Sequence, residues 1–130
     1  MKDGATAGEA AIRDLAQQYC EGVYKARPEI FEAICHDRFQ MTEITAEGGA
    51  NFWDKASYLD RVRGRDAFPG DVSAEILSID VAGEEIARVH LWVDVPPRRY
   101  EDHLGFVRVD GNWKLLTKVF RTMGASDLDG

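Results

Sequence analysis

The sequence predicts an α+β domain, with helices confined to the N-terminal half and long strands filling the C-terminal half. Three observations carry this. Ile12, Leu15, Ala16, Tyr19, Cys20 and Val23 recur at three- and four-residue spacing, the signature of one apolar helix stripe. From residue 72 onward, β-branched and aromatic residues gather in runs separated by Gly, Pro and Asp. Asp110-Gly111-Asn112 joins the last two of these runs, a strong hairpin signal because glycine accepts the positive φ of a tight turn.

In chain order, residues 1–8 are small and polar and read as a frayed tail, as do residues 124–130. The first helix starts at Glu9 and ends near residues 25–27. Pro28 disfavours helical geometry in the residue before it and suits the first turn of a new helix. That second helix, PEIFEAICHD, turns Ile30, Phe31, Ile34 and Cys35 inward. Residues 38–45 alternate, with Phe39 and Met41 on one face, and read as a half-buried strand. Gly48-Gly49 turns the chain into a short returning strand over 51–53. Asp54 is a good N-cap for a third helix, and Trp53 and Tyr58 flank it where a hydrophobic staple forms. Tyr58, Leu59 and Val62 make its apolar side, and Gly64 with Phe68-Pro69-Gly70 ends it. Strands follow over 72–81, 86–95, 99–109 and 113–122, with Pro96-Pro97 as an interruption. No repeat, low-complexity tract or linker divides the chain, so one domain over 1–130 is expected.

Composition excludes several functions. Sixteen Lys and Arg against 23 Asp and Glu give a formal charge of −7, which repels nucleic acid and anionic lipid, so neither is expected as a partner. The basic segment Lys55, Arg61, Arg63, Arg65 reads as a solvated helix face. No apolar run approaches the roughly 20 residues that cross a bilayer, and the N-terminus lacks a secretory pattern, so a cytoplasmic location is expected. Cys20 and Cys35 have neither metal nor redox spacing and read as reduced core thiols. His36, His90 and His103 come from three separate elements without ligand spacing, so no metal is expected, and no phosphate loop or dinucleotide motif implies a cofactor.

Two stretches carry a family resemblance. Tyr19-Cys20-Glu21-Gly22 is similar to a Y-x-x-G on the first helix of the NTF2-like superfamily, within it the lumazine-binding or SnoaL-like group. Residues 102–120, with an Asp two before a leucine, the Asp-Gly-x-Trp-Lys turn and a Lys-Val-Phe ending, resemble its closing hairpin. The order of elements matches over nearly the whole chain. The resemblance implies a cone: a curved, mostly antiparallel sheet wrapped around three helices, with a cavity at the wide end. It also implies a homodimer and a small, aromatic or polycyclic organic ligand. Isomerase-like members use an Asp base with a Tyr and a protonated Asp as oxyanion donors. Tyr19 and Asp102 offer counterparts in a helix and a strand position, and the base has none.

Among residues that could carry chemistry, Asp102-His103 stands out. Adjacent strand residues point to opposite faces, so Tyr100, Asp102, Leu104 and Phe106 share one face and His103, Gly105 and Val107 the other. If the first set lines the cone, Asp102 is a carboxyl among aromatics, where burial raises its pKa and suits acid–base work. The alternative is a structural ion pair with Lys118 or an arginine. Trp53, Tyr58 and Lys118 join Tyr100, Leu104 and Phe106 as expected pocket residues. His90 shares a face with Trp92 and Asp94, which reads either as an oriented general base or as the outer sheet face where dimers form, with Trp92 as anchor.

Two functions fit these residues. One is a cone that binds a small organic molecule, with isomerase- or dehydratase-type proton transfer through Asp102 and Tyr19 and no cofactor. The other is a non-catalytic dimeric module that works through its outer sheet face, with His90 and Trp92 at the interface.

Overall fold

The structure, a computed structural model, describes residues 7–126. Helix α1 (Ala7–Tyr24) buries Ile12, Ala16, Tyr19, Cys20 and Val23, the stripe its spacing predicts. Gly22 lies on the same side for a steric reason: a Cβ there would stand 2.8 Å from the Phe31 ring. The absent side chain lets helix α2 (Pro28–Ile34) pack close, with Pro28 in its first turn. Strand β1 (Cys35–Ile44) starts three residues before the alternation does, so Cys35 belongs to a strand and not to the second helix. A partner from the far end of the chain decides this: Cys35 aligns with Leu115.

Strand β2 (Ala50–Asp54) returns antiparallel to β1 after a turn with Gly48 at φ 89°. Helix α3 (Lys55–Arg63) then begins on a capping box, in which Asp54 accepts from the Ser57 backbone N–H at 2.9 Å while Ser57 Oγ accepts from Asp54 N–H at 3.0 Å. Strands β3 (Ala74–Ala82), β4 (Ile86–Val95), β5 (Arg98–Val109) and β6 (Asn112–Ala125) form a meander. Asp110 and Gly111 close its last hairpin with φ of 51° and 80°, the two positive values a two-residue turn of this hand requires.

The sheet has six strands in the order β2-β1-β6-β5-β4-β3. All neighbours are antiparallel except β1 and β6, which run parallel. Register shifts in β3–β4, β5–β6 and β1–β6 bend the strands, and the curved sheet folds over the helices. The core lies in that hollow, where Val89, Leu91, Leu104 and Leu115 meet Ile12, Tyr19 and Phe31. Both cysteines are free and buried. No helix among the described residues is long and apolar enough to cross a membrane. Of the expected tails, Ala7 and Gly8 are helical and Gly124 and Ala125 extend β6; residues 1–6 and 127–130 lie outside the described residues.

Candidate functional site

Four elements converge on one buried group. Strand β5 turns Asp102, Leu104 and Phe106 inward, with Tyr100 half-buried at the start of the same row. Strand β6 sets Phe120 opposite Asp102 and Lys118 opposite Leu104. Helix α1 supplies Tyr19 and helix α3 supplies Tyr58, both buried. Tyr19 donates its hydroxyl proton to Oδ2 of Asp102. Asp102 is 0% exposed, and its Oδ1 has no hydrogen-bond partner among the described residues. A buried carboxylate oxygen normally finds one, so an orphan here needs a reason.

Lys118 stands beside this pair in an aromatic box. Its Nζ lies 5.1 Å from the Tyr19 ring centre, 5.0 Å from Tyr58 and 4.6 Å from Phe120. It donates to the Tyr58 hydroxyl at 3.4 Å. Among the described residues no ion pair reaches Asp102, so its hydrogen-bonded partner is Tyr19 and not Lys118 or an arginine.

Burial disfavours charge on every member. It pushes the Asp102 carboxyl above its usual range, an effect that the charge of Lys118 and the Tyr19 hydrogen bond oppose. It pulls the Lys118 ammonium down to about 8, with the Asp102 carboxylate opposing. Tyr19 is held well above its ordinary value by burial and by the Asp102 charge, so the shared proton stays on the phenol. Burial also raises the Cys20 thiol to about 12, which leaves it inert as a nucleophile. A carboxyl and an amine with weakened charges, side by side and away from water, form a pair suited to proton transfer.

The remaining expected pocket residues fall at two depths. Leu104 and Phe106 sit in the closed core at 0% and 1% exposure. Trp53 and Tyr100 are half-buried and form a rim with Phe120, at ring separations of 6.2 Å for Trp53–Phe120 and 5.4 Å for Tyr100–Phe120. Tyr100 also lines a cleft of about 510 Å³ with Glu43, Arg98 and Thr122. Arg61 stacks over Trp53 at 4.9 Å. Arg65, which follows α3, carries a buried Nε without a hydrogen-bond partner among the described residues.

The other face of the sheet holds a separate group. His90 bonds Glu101 at 2.6 Å, Glu101 bonds Arg121 at 2.8 Å, and the His90 and His103 rings stack at 4.4 Å. The carboxylate beside His90 is therefore not Asp94, as residue spacing along one strand implies. Cross-strand register sets Glu101 opposite Trp92, diagonal to His90. Asp94 instead is 0% exposed and takes two bonds from Arg99, at 2.9 and 3.1 Å, and one from Ser73 at 2.6 Å. Trp92 donates to Glu75 at 3.2 Å and lies under the Arg99 guanidinium at 3.6 Å.

Comparison with known proteins agrees with this architecture. The family model described as putative lumazine-binding matches residues 7–121. Among solved structures, an NTF2-like protein of unknown function from Silicibacter pomeroyi DSS-3 shares 23% identity, with 91% of this chain and 99% of that chain covered and a TM-score of 0.77. One from Shewanella baltica OS155 shares 19% over 94% and 100%, with a TM-score of 0.81. A ketosteroid isomerase-like protein from Erwinia carotovora atroseptica SCRI1043 shares 15% over 92% and 99%, with a TM-score of 0.71. A search of the curated proteins found no match. With a family match over most of its length, the chain belongs to the putative lumazine-binding family, and its three helices under a curved six-stranded sheet have the fold of the NTF2-like structures.

Proposed function

We propose that this domain binds a small aromatic organic molecule at the Trp53–Tyr100–Phe120 rim and moves a proton on it through Asp102. The observation that carries this reading is the carboxyl itself. One oxygen of Asp102 is occupied by Tyr19, while the other is buried and unpartnered beside Lys118. Leaving a polar atom in that state costs on the order of 1–3 kcal/mol, which a ligand donor would recover. In this reading Oδ1 takes a proton from an acidic C–H or N–H and returns it at another position. Tyr19 steadies the carboxylate, and the Lys118 ammonium offsets charge that develops on the ligand. Return of the proton to the ligand is isomerase-type chemistry; its delivery to a hydroxyl that departs as water, as the C–O bond breaks and a double bond forms, is dehydratase-type chemistry, and neither needs a cofactor.

Native mass spectrometry of freshly purified protein, followed by fluorescence titration with lumazine, tests the reading. A saturable complex that the Tyr19→Phe variant weakens is the expected result. Protein that carries no adduct and leaves lumazine emission linear to saturating concentration would overturn it.

The outer sheet face supports a second reading, a homodimer in which Trp92 and His90 meet a second copy. Its support is a half-buried tryptophan capped by Arg99, next to stacked imidazoles and the exposed Val119 on a sheet face without a helix. Sedimentation velocity at micromolar concentration decides it: Trp92→Ala is expected to shift a dimer toward monomer. An unchanged dimer would show that this face is not the contact.

A further inference from the structure

Lys118 differs from every other described lysine. Lys25 bonds the Gly70 carbonyl at 2.6 Å, Lys114 bonds the Ala33 carbonyl at 2.8 Å, and Lys55 bonds the Cys35 carbonyl at 3.1 Å beside Glu32 and Asp37. Lys118 is buried, and its one hydrogen bond is the long contact to the Tyr58 hydroxyl at 3.4 Å. No carboxylate among the described residues stands within ion-pair distance of it. Asp102 is its diagonal neighbour on the adjacent strand, since Asp102 aligns with Phe120 and Leu104 with Lys118, and both side chains are buried on the inner face.

Three rings surround the Lys118 nitrogen, at 4.6 Å for Phe120, 5.0 Å for Tyr58 and 5.1 Å for Tyr19. Rings attract a cation but replace only part of the hydration that burial removes, and a neutral amine loses far less there. With its pKa drawn down to about 8, an appreciable fraction is the free amine near neutral pH. A desolvated amine of this kind is a nucleophile. The rim reaches it. The Phe120 ring beside Lys118 also meets Trp53 at 6.2 Å and Tyr100 at 5.4 Å, and Tyr100 lines the cleft of about 510 Å³. Lys118 is 7% exposed, against 3% for Tyr58 and 0% for Tyr19 and Asp102.

We propose that Lys118 is a Schiff-base lysine, whose amine condenses with the aldehyde or ketone of an aromatic ligand held at the Trp53–Tyr100–Phe120 rim. The amine lone pair forms a C–N bond to the carbonyl carbon, and the carbonyl oxygen takes the proton of the Asp102 carboxyl. The carboxylate so formed takes one N–H proton, which neutralises the carbinolamine. The nitrogen lone pair then expels the hydroxyl, which takes that proton back and leaves as water. A protonated imine and an Asp102 carboxylate remain, and no oxidant or reductant is used. Oδ1, the oxygen without a partner, carries these transfers while Tyr19 holds Oδ2. The positive imine acidifies a neighbouring C–H of the ligand, and the carboxylate is then the base that removes its proton. This chemistry rests on the rim-and-Asp102 reading above and gives its ligand a carbonyl group.

Two probes of one skeleton separate the claims: 2-naphthaldehyde tests the condensation, and 2-naphthylmethanol, which has no carbonyl, tests the pocket alone. The intact domain is incubated with the aldehyde and cyanoborohydride, which reduces an imine to a stable amine, and peptide mass mapping locates the label. Labelling at Lys118 is expected to be at least about tenfold faster than at Lys25, Lys55 or Lys114, because its larger free-amine fraction outweighs its lower basicity. Naphthylmethanol should bind saturably in equilibrium dialysis and slow labelling at Lys118 alone. Lys118→Met should remove the fast-labelled site, and Asp102→Asn, which has no proton for the departing hydroxyl, should slow it. Circular dichroism checks that both variants fold, and protection of the wild type by naphthylmethanol carries the test without them. Label confined to the other lysines, with naphthylmethanol still bound, would overturn the Schiff base and leave the pocket standing. Failure of naphthylmethanol to bind, with no label at Lys118, would overturn both together.

Discussion

Asp102→Asn is expected to cut ligand affinity by about ten- to a hundredfold, the worth of one buried hydrogen bond to a charged group, while the domain stays folded. The same change should leave stability at neutral pH equal to the wild type or higher. The folded-state carboxyl is raised by burial, so the native protein binds its proton more tightly than the unfolded chain does. Stability contributed by such a group is complete below the unfolded value of 3.8 and is lost as pH rises through the raised folded value. An asparagine carries no charge at any pH and can still accept from Tyr19. The midpoint difference between variant and wild type should therefore be smallest near pH 3 and grow in the variant's favour toward pH 7. Thermal melts across that range, run beside lumazine titration, measure both halves. A variant that melts lower at pH 7 yet binds ligand as before would make Asp102 a structural residue.

Lys118 makes the same point with the opposite sign. Its folded-state ammonium is depressed to about 8 from 10.5, so the unfolded chain binds that proton more tightly. The associated destabilisation is present below pH 8 and is relieved between the two values. Two buried groups thus each resist the charge they carry in water. Proteins keep such arrangements where chemistry or binding needs them, at a cost in stability.

Much of this site is legible in the sequence because strand and helix periodicity fix which side chains share a face. Alternation alone assigns Tyr100, Asp102, Leu104 and Phe106 to one side of β5, and helical spacing assigns Tyr19 to the stripe of α1. That these two faces meet, so that Tyr19 bonds Asp102 across 83 residues of chain, is tertiary information. The parallel pairing of β1 with β6 is hidden for the same reason, and it is what converts Cys35 from helix to strand. Partners across strands are harder still. His90 takes Glu101 rather than Asp94 because register, not distance along one strand, decides neighbours. Arg65 is the clearest case. Among Lys55, Arg61 and Arg63 it reads as one more solvated cation, and nothing in the local pattern marks it as half-buried, with an Nε that has no hydrogen-bond partner among the described residues.

Arg99→Ala is expected to produce the largest loss of stability, about 3–5 kcal/mol, because it strips a fully buried carboxylate of its counter-ion. Asp94 is 0% exposed, and Arg99 supplies two of its bonds, at 2.9 and 3.1 Å; Ser73 supplies a third at 2.6 Å. The pair also closes the β4–β5 hairpin, since Asp94 and Arg99 are register partners, and a backbone bond from Asp94 N–H to the Ser73 carbonyl at 2.9 Å ties the approach to β3 to the same point. Trp92 loses its cation at 3.6 Å in the variant as well. Replacing both partners, as Asp94→Asn with Arg99→Ala, removes the stranded charge and should recover a large part of the loss. Urea unfolding of the two singles and the double closes the cycle. Losses that simply add, with Arg99→Ala below about 1 kcal/mol, would mean a solvated pair of the surface kind. Recovery in the double variant would tie the hairpin to the site, since the strand that this clamp starts carries Tyr100 and Asp102 into the hollow.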